Sequence, residues 1–238
     1  MITFTHIPLM KLRSLIYLAF ICAFALSCKN DSTEPVDYNE YYPLKVGWYG
    51  IYDVREEIYS TSQKDPEIKV RQEKDEINDV KMNADGSSTY TFSRSTRATS
   101  SDYWQKVKEF TVQKFPDKLL TNIDNQTFFT LVFPIDNRIN WNGNSYNNLD
   151  AQEYHYEDVG QSVTIAEQTF HNSLTVVERQ DSSIINKYTG IKKYGLGVGL
   201  LSDEQIDFEL CQSDECIGSG KVESGTKKTR KIVEFGGI

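Results

Sequence analysis

An all-β fold, one antiparallel curved sheet or partly open barrel of about ten strands with little helix, is predicted by three features of this 238-residue sequence. Aromatic residues make up 12% of the chain and fall with Val, Ile and Thr in short bursts, a composition that suits pleated, half-buried surfaces. The bursts alternate apolar with polar side chains and are separated by turn signals such as Asp85-Gly86. Strand follows strand with no long amphipathic run between them, which argues against a parallel α/β sheet.

The N-terminus is built differently. Lys11 and Arg13 precede an apolar run from Leu15 to Leu26, after which come small Ser27 and then Cys28, the layout of a secretory signal. The run is well short of the roughly 20 residues that cross a bilayer, so it is not read as a permanent transmembrane helix. Met10 opens a more usual signal than Met1, and both starts stay open. The stretch resembles a bacterial lipoprotein signal, in which the cysteine is acylated on sulfur and becomes the mature N-terminus. That resemblance makes residues 1–27 the signal peptide and Cys28 the lipidation site. Its departure is Ala25, where such signals usually carry Leu. Cys22 is the poorer candidate because bulky Phe20 and Ile21 precede it, and the alternative for Cys28 is a cysteine that merely follows an ordinary cleavage site.

Residues 28–40 are polar, acidic and proline-containing, and predict an acylated N-terminus with a flexible tether. Lys29 with Asp31 and Glu34 also resembles the surface-export signal of Bacteroidota lipoproteins, although a plain solvated linker accounts for it. Residues 41–238 are then one antiparallel β domain. Removing Met1 to Ser27 leaves 211 residues and takes away Lys11 and Arg13 but no acid, which moves the formal charge from −8 to −10. A balance so acidic opposes nucleic acid and anionic headgroups. Cys211 and Cys216 remain after Cys22 leaves and Cys28 is blocked, and an even pair in an exported chain predicts a disulfide. Two free thiols or half a metal site are the alternatives, but His155 and His171 are isolated and no CxxC or HExxH spacing occurs.

The domain opens with YYPLKVGWYGIYDV, where Pro43 leads into a strand and Gly47 permits a turn before aromatic residues on both faces. This segment resembles the YFPLKVGNYWIY opening of a group of Bacteroidota lipoproteins of unknown function. FPIDNRINWNGNSY from Phe133 and YGLGVGLL from Tyr194 are similar to later segments of the same group. The resemblance implies an exported, lipid-anchored antiparallel β domain, related in shape to the carriers LolA and LolB or to lipocalins, and carries no catalytic residue. Between these islands the expected strands centre on Ile68 and Val70, on Tyr90 and Phe92, and on Tyr103 to Phe115. Lys118 to Ile123 and Thr127 to Phe133 flank Asp124 and Asn125 as a hairpin. Then come Glu153 to Val159, Ser162 to Ala166, Leu174 to Val177, Ser183 to Tyr188, Leu200 to Leu210 and Lys227 to Phe235.

Candidate chemistry is sparse. GLGVG at Gly195 to Gly199 lacks both the dinucleotide spacing and the P-loop lysine, and reads as a turn or bulge. Alternation puts Glu153, His155 and Glu157 on one face and Tyr154 and Tyr156 on the other, a half-solvated strand and not a hydrolase centre. Asp136, Asn137, Asn140, Asn142 and Asn144 around Trp141 could offer oxygens to calcium or hydroxyls to a sugar stacked on the indole, but they stand at turn spacing and without an EF-hand pattern. Lys227, Lys228, Arg230 and Lys231 form a basic cluster expected to blunt an exposed C-terminal edge strand.

These features predict a non-enzymatic binding or accessory module held in the outer membrane, on its periplasmic face or the cell surface, by acyl chains on Cys28. No cofactor, metal or nucleic-acid partner is expected. The aromatic supply suggests an apolar cleft for a lipid-like ligand or an envelope protein, with Trp48, Tyr52, Trp104 and Trp141 as candidate contacts. A purely structural envelope protein and a carboxylate-dependent hydrolase are the competing classes.

Overall fold

Strand boundaries fall where the chain carries its turn residues. The computed structural model describes residues 37–237, and the expected signal peptide, Cys28 and the tether as far as Val36 lie outside the described residues. The strands are β1 (Tyr49–Tyr59), β2 (Glu67–Met82), β3 (Ser88–Arg97), β4 (Gln105–Lys114), β5 (Lys118–Ile123), β6 (Gln126–Val132), β7 (Asn140–Asn142), β8 (Glu153–Ile165), β9 (Gln168–Ser182), β10 (Asn186–Gly195), β11 (Gly199–Leu210) and β12 (Val222–Gly236). Asp124 and Asn125 take positive φ in the β5–β6 turn, Gly86 in the β2–β3 turn and Gly197 in the β10–β11 turn, so GLGVG is the turn its spacing suggests.

All the strands join one antiparallel sheet in the order β6-β5-β4-β3-β2-β1-β12-β11-β10-β9-β8-β7, nearly closed into a barrel. Two meanders, β1–β6 and β7–β12, therefore meet along two lines. The first is a ladder from Tyr49 opposite Gly236 to Tyr59 opposite Gly225. The second joins the sheet's two edges, β6 and β7, through side chains and a loop. Phe129 N–H donates to Gly143 O (2.8 Å), the Trp141 indole N–H to Phe129 O (2.8 Å) and the Asn147 amide to Thr127 O (3.0 Å). Tyr156 O–H donates to Val132 O and accepts from Val132 N–H, both at 2.8 Å. Gly143 has to lack a side chain, because a Cβ there would fall within the Tyr154 ring.

The inward faces fill one end of the barrel with apolar side chains. Ile77, Phe92, Phe110, Val112, Leu119, Leu131, Trp141, Tyr156, Leu174, Val176 and Tyr194 make one buried cluster, covered by Tyr41 from a 3-10 helix at Tyr38–Tyr41. Phe92 stacks on Phe110 at 4.7 Å, and Trp141 lies 4.7 Å from Tyr156 and 5.8 Å from Tyr154. A side chain of this kind contributes about 1.5–3 kcal/mol on full burial, so the plug accounts for much of the fold's stability. Gly197 N–H donates to Glu40 O at 2.7 Å, which ties the helix to the β10–β11 turn. Tyr38 to Glu40, at the end of the expected tether, are thus structured and packed.

Charge stands mid-strand on the outward faces: Asp53 and Arg55 are exposed on β1, as are Glu157 on β8 and Lys231 on β12. A barrel that crosses a bilayer carries an apolar band there, and Arg or Lys at the midplane costs about 2–4 kcal/mol each, so this is not a transmembrane barrel. Three strand expectations are corrected. Glu153 to Ile165 is one strand, bulged near Asp158 and Gly160, and not two. Ser183 belongs to a turn in which its hydroxyl accepts from the N–H of Ile185 and Asn186, which delays β10 to Asn186. The basic cluster lies on β12, between β1 and β11 and not at an edge, because β12 closes the ladder onto β1. Cys211 and Cys216 are joined by a disulfide, their Cα atoms 5.8 Å apart, in the β11–β12 connection.

Candidate functional site

Beyond the apolar plug, the inward faces carry charge of alternating sign. Arg94 on β3, Asp75 on β2, Arg230 on β12, Asp203 on β11, Lys192 on β10 and Glu178 on β9 follow one another around the wall. The register sets this order: Asp75 is opposite Arg94, Asp203 opposite Arg230, and Lys192 opposite Asp203. Cross-strand neighbours of opposite sign attract, which offsets part of the cost of withdrawing each from water.

Asp75 anchors one half of the belt. Arg94 donates to it twice, Nε to Oδ1 at 2.6 Å and a terminal nitrogen to Oδ2 at 2.7 Å, and Arg230 donates to Oδ2 at 2.8 Å. Burial would raise this carboxyl's pKa, but the two guanidiniums outweigh it and hold it at about 2. Glu73, two residues earlier on the same face, is 3% exposed and gathers Arg71 at 2.8 Å, Arg230 at 3.0 Å, and Arg94 and Lys228 at 3.8 Å. Its pKa is also lowered, the cations overcoming burial. The Arg230 Nε to Glu73 Oε2 contact is off the N–H axis, so both atoms are close in space yet unbonded. The guanidinium of Arg230 also lies 4.4 Å above the Tyr52 ring.

Lys192 and Glu178 make the other half, 2.5 Å apart. Burial pushes the Lys192 pKa down, but Glu178 and Asp203 together raise it above the ordinary value, so the ammonium stays charged. Gln205 bridges the two acids, donating to Asp203 at 2.8 Å and to Glu178 at 3.2 Å. Bare backbone at Gly190 makes room for this bridge, since a Cβ would stand 3.1 Å from the Gln205 oxygen and 3.3 Å from the Glu178 Cβ.

The belt and an uncharged wall line a half-open chamber of about 390 Å³. That wall includes Phe110, Thr121, Phe128, Thr130 and Tyr154, with Thr130 O–H donating to Thr121 at 2.7 Å. The volume is at the lower end of small-molecule sites, about 300–1,000 Å³. Phe128, Tyr154, Glu178 and Gln205 also line a second hollow of about 440 Å³.

The four aromatic residues expected to touch a ligand are not brought together. Trp48 and Tyr52 share a crevice of about 50 Å³, too small for a ligand, and Tyr52 O–H donates to Leu200 O at 3.2 Å. Trp104 lies in the β3–β4 connection with Arg97 4.2 Å above its ring. Trp141 is buried at the barrel seam. These rings pack against protein groups, and the chamber that remains is lined by ions on one side and by other aromatic, aliphatic and threonine side chains on the rest. Tyr154 and Tyr156 do point inward, while Glu153 and Glu157 face solvent with His155 3.3 Å from Glu157. The asparagines around Trp141 serve the loop, Asn142 Oδ1 accepting from the N–H of Asn144 and Gln152. Among the described residues no group of His, Cys, Asp and Glu is disposed to hold a metal ion.

The residues that make the chamber were missed by sequence reasoning. A signal existed: Glu73 and Asp75 are in period-two phase with buried Ile77, as Lys228 and Arg230 are with buried Ile232. Charges in phase with a buried apolar residue point to an interior.

No protein-family profile matches this sequence, and no curated protein matches it. A crystal structure of a protein provisionally described as a lipoprotein, from Parabacteroides distasonis ATCC 8503, is similar over 82% of this chain and 98% of its own, with 11% identity and a TM-score of 0.43. A superposition so loose carries no inference.

Proposed function

We propose that this chain is an exported, lipid-anchored envelope protein that binds a small molecule inside its barrel and catalyses nothing. The observation that carries the binding reading is the chamber of about 390 Å³, with convergent polar groups held in place by their own ion pairs. A purely structural barrel has no use for such a space, since charges left facing it cost desolvation that an apolar filling would avoid. The chamber's chemistry also speaks against a hydrolase. General acid–base work needs a carboxyl poised near the working pH, whereas Asp75 is held at about 2, Glu73 is lowered, and Glu178 is committed to Lys192. Lining of this kind favours a ligand with a polar or charged group over a wholly apolar one.

The anchor rests on the charged start, the short apolar run and the small residue before Cys28. Acyl chains contribute about 0.8 kcal/mol per buried CH₂, so more than one chain anchors a protein stably where a single chain binds only marginally. Two measurements test the two halves of the proposal. Native mass spectrometry of protein purified from its own envelope should find a co-purifying small molecule, and its absence at every loading condition counts against the binding role. Cys28→Ala should release the protein from membranes without detergent; equal release of wild type and variant overturns the anchor.

A further inference from the structure

Three tyrosines line the chamber with hydroxyls that the fold does not use. Tyr42 is half-buried, and Tyr154 and Tyr194 are 6% and 2% exposed. Elsewhere in the barrel a buried phenol is bonded: Tyr156 pairs with both backbone groups of Val132, and Tyr52 donates to Leu200 O. Among the described residues the hydroxyls of Tyr42, Tyr154 and Tyr194 have no such partner, and what acts on them besides burial is the charge around them. Nor are they sealed in, because the buried side-chain atoms left wholly unpaired are Glu73 Oε2 and Arg230 Nε. They therefore open to the chamber. Burial raises the pKa of all three, so each stays a neutral O–H that can donate and accept.

Charge is the second observation. On the wall Arg94, Lys192, Lys228 and Arg230 face Asp75, Glu178 and Asp203, and behind it Arg71 stands 2.8 Å from Glu73 and 3.1 Å from Glu56. Cations and acids are equal in number. A ligand with a net charge would find no counter-ion left for it there. Hydrogen-bonding capacity does remain. Among the described residues Asp203 accepts only from Gln205, which leaves it lone pairs to offer, and Thr121 accepts from Thr130 and keeps its own O–H.

We infer that the chamber takes an uncharged, hydroxyl-rich molecule of the sugar class, its hydroxyls met by Tyr42, Tyr154, Tyr194 and Asp203 and its C–H face laid on Phe110 and Phe128. This rests on the binding role proposed above and names its ligand class. Donors and acceptors are spread around the chamber and not gathered at one end, so the ligand has to carry both on most of its atoms, which hydroxyl groups do. The two phenylalanine rings supply the apolar contact that fixes a ring of carbons between them and the belt.

Isothermal titration of the purified full-length protein at pH 7 with D-glucose, D-galactose and D-mannose, each against its anionic uronate, tests this. At least one neutral hexose should bind, and its uronate should bind at least tenfold more weakly. Tyr154→Phe with Tyr194→Phe should weaken that hexose by about tenfold or more, for two lost hydrogen bonds. The half-open chamber admits water to these hydroxyls, so the same variant, free of ligand, should unfold at the wild-type urea midpoint. Equal binding of hexose and uronate, unchanged affinity in the double variant, or a lowered midpoint overturns the assignment and leaves the binding role standing. So does failure of all three hexoses to bind when a molecule of another class co-purifies. No hexose binding, with no co-purifying molecule in the native mass spectrum, overturns both.

Discussion

Replacing Asp75 with Asn keeps the size of the side chain and one acceptor oxygen while removing the charge on which two guanidiniums converge. Three charge-assisted hydrogen bonds end there, at 2.6, 2.7 and 2.8 Å. Each is worth roughly 1.5–3 kcal/mol in isolation, but they share one carboxylate and do not add. Breaking a buried ion pair from one side costs about 3–5 kcal/mol. Glu73 stands 3.0 Å from Arg230 and 3.8 Å from Arg94 and takes up part of the orphaned charge, so the lower end, about 3 kcal/mol, is expected. Urea unfolding at pH 7 should show it as a midpoint lowered by about 1–2 M for a slope of roughly 2 kcal/mol/M. The pH dependence separates charge from packing. A folded pKa of about 2 against 3.8 unfolded means that Asp75 stabilises fully above pH 3.8 and that this is lost as pH falls through 2. The amount is roughly 2 kcal/mol at 1.36 kcal/mol per unit. Glu73, lowered in the same sense, adds to the acid sensitivity of both proteins. The gap between wild type and Asp75→Asn should therefore narrow from pH 4 toward pH 2. A loss under about 1 kcal/mol, the worth of an exposed pair, or a gap that ignores pH, refutes the network as described.

Two further outcomes follow from the seam and the staple. Tyr156→Phe strips the hydroxyl that pairs with both backbone groups of Val132, and should cost about 2 kcal/mol in urea with faster amide exchange at Val132, as unpaired buried groups cost about 1–3 kcal/mol. Unchanged exchange there would mean that the barrel is closed by something else. Cys211→Ser with Cys216→Ser opens a ring with a sequence separation of 5 and should lower stability by at most about 2 kcal/mol, with proteolytic nicking confined to the β11–β12 connection. Global unfolding of that variant would show the disulfide to be more than a loop staple.

The class of fold was legible because strand periodicity and turn chemistry are local. Asp124 and Asn125 announce a hairpin, and Tyr154 and Tyr156 announce an inward face, from a few residues of sequence each. What lay beyond reach was pairing across the chain. Nothing near Lys228 or Arg230 says that β12 will lie against β1, residues far away in sequence, and without that contact a basic terminal strand reads as an edge. Glu73 and Asp75 drew no reading from sequence for the same reason. Alternation separates two faces but does not say which encloses a space, and only closure of the sheet turns Glu73, Asp75 and Arg230 from surface into interior. Aromatic abundance misled in another way: many of the rings fill the plug, and those that line the chamber, among them Phe110, Phe128 and Tyr154, are not the four expected to touch a ligand.

The ladder between β1 and β12 also orders events in time. A chain made from its N-terminus delivers β1 through β6 as a continuous meander long before the second partner of β1 exists, because that pairing runs from Gly225 to Gly236. Until β12 emerges, β1 is an open strand edge bearing Tyr49, Ile51 and Tyr52, the kind of surface that pairs with neighbouring molecules. Completion of the barrel thus waits on β12, and a nascent chain stalled short of it is a template for association and not a partly finished container. Deleting part of β12 should accordingly raise dependence on chaperones far more than an equal deletion from a surface turn.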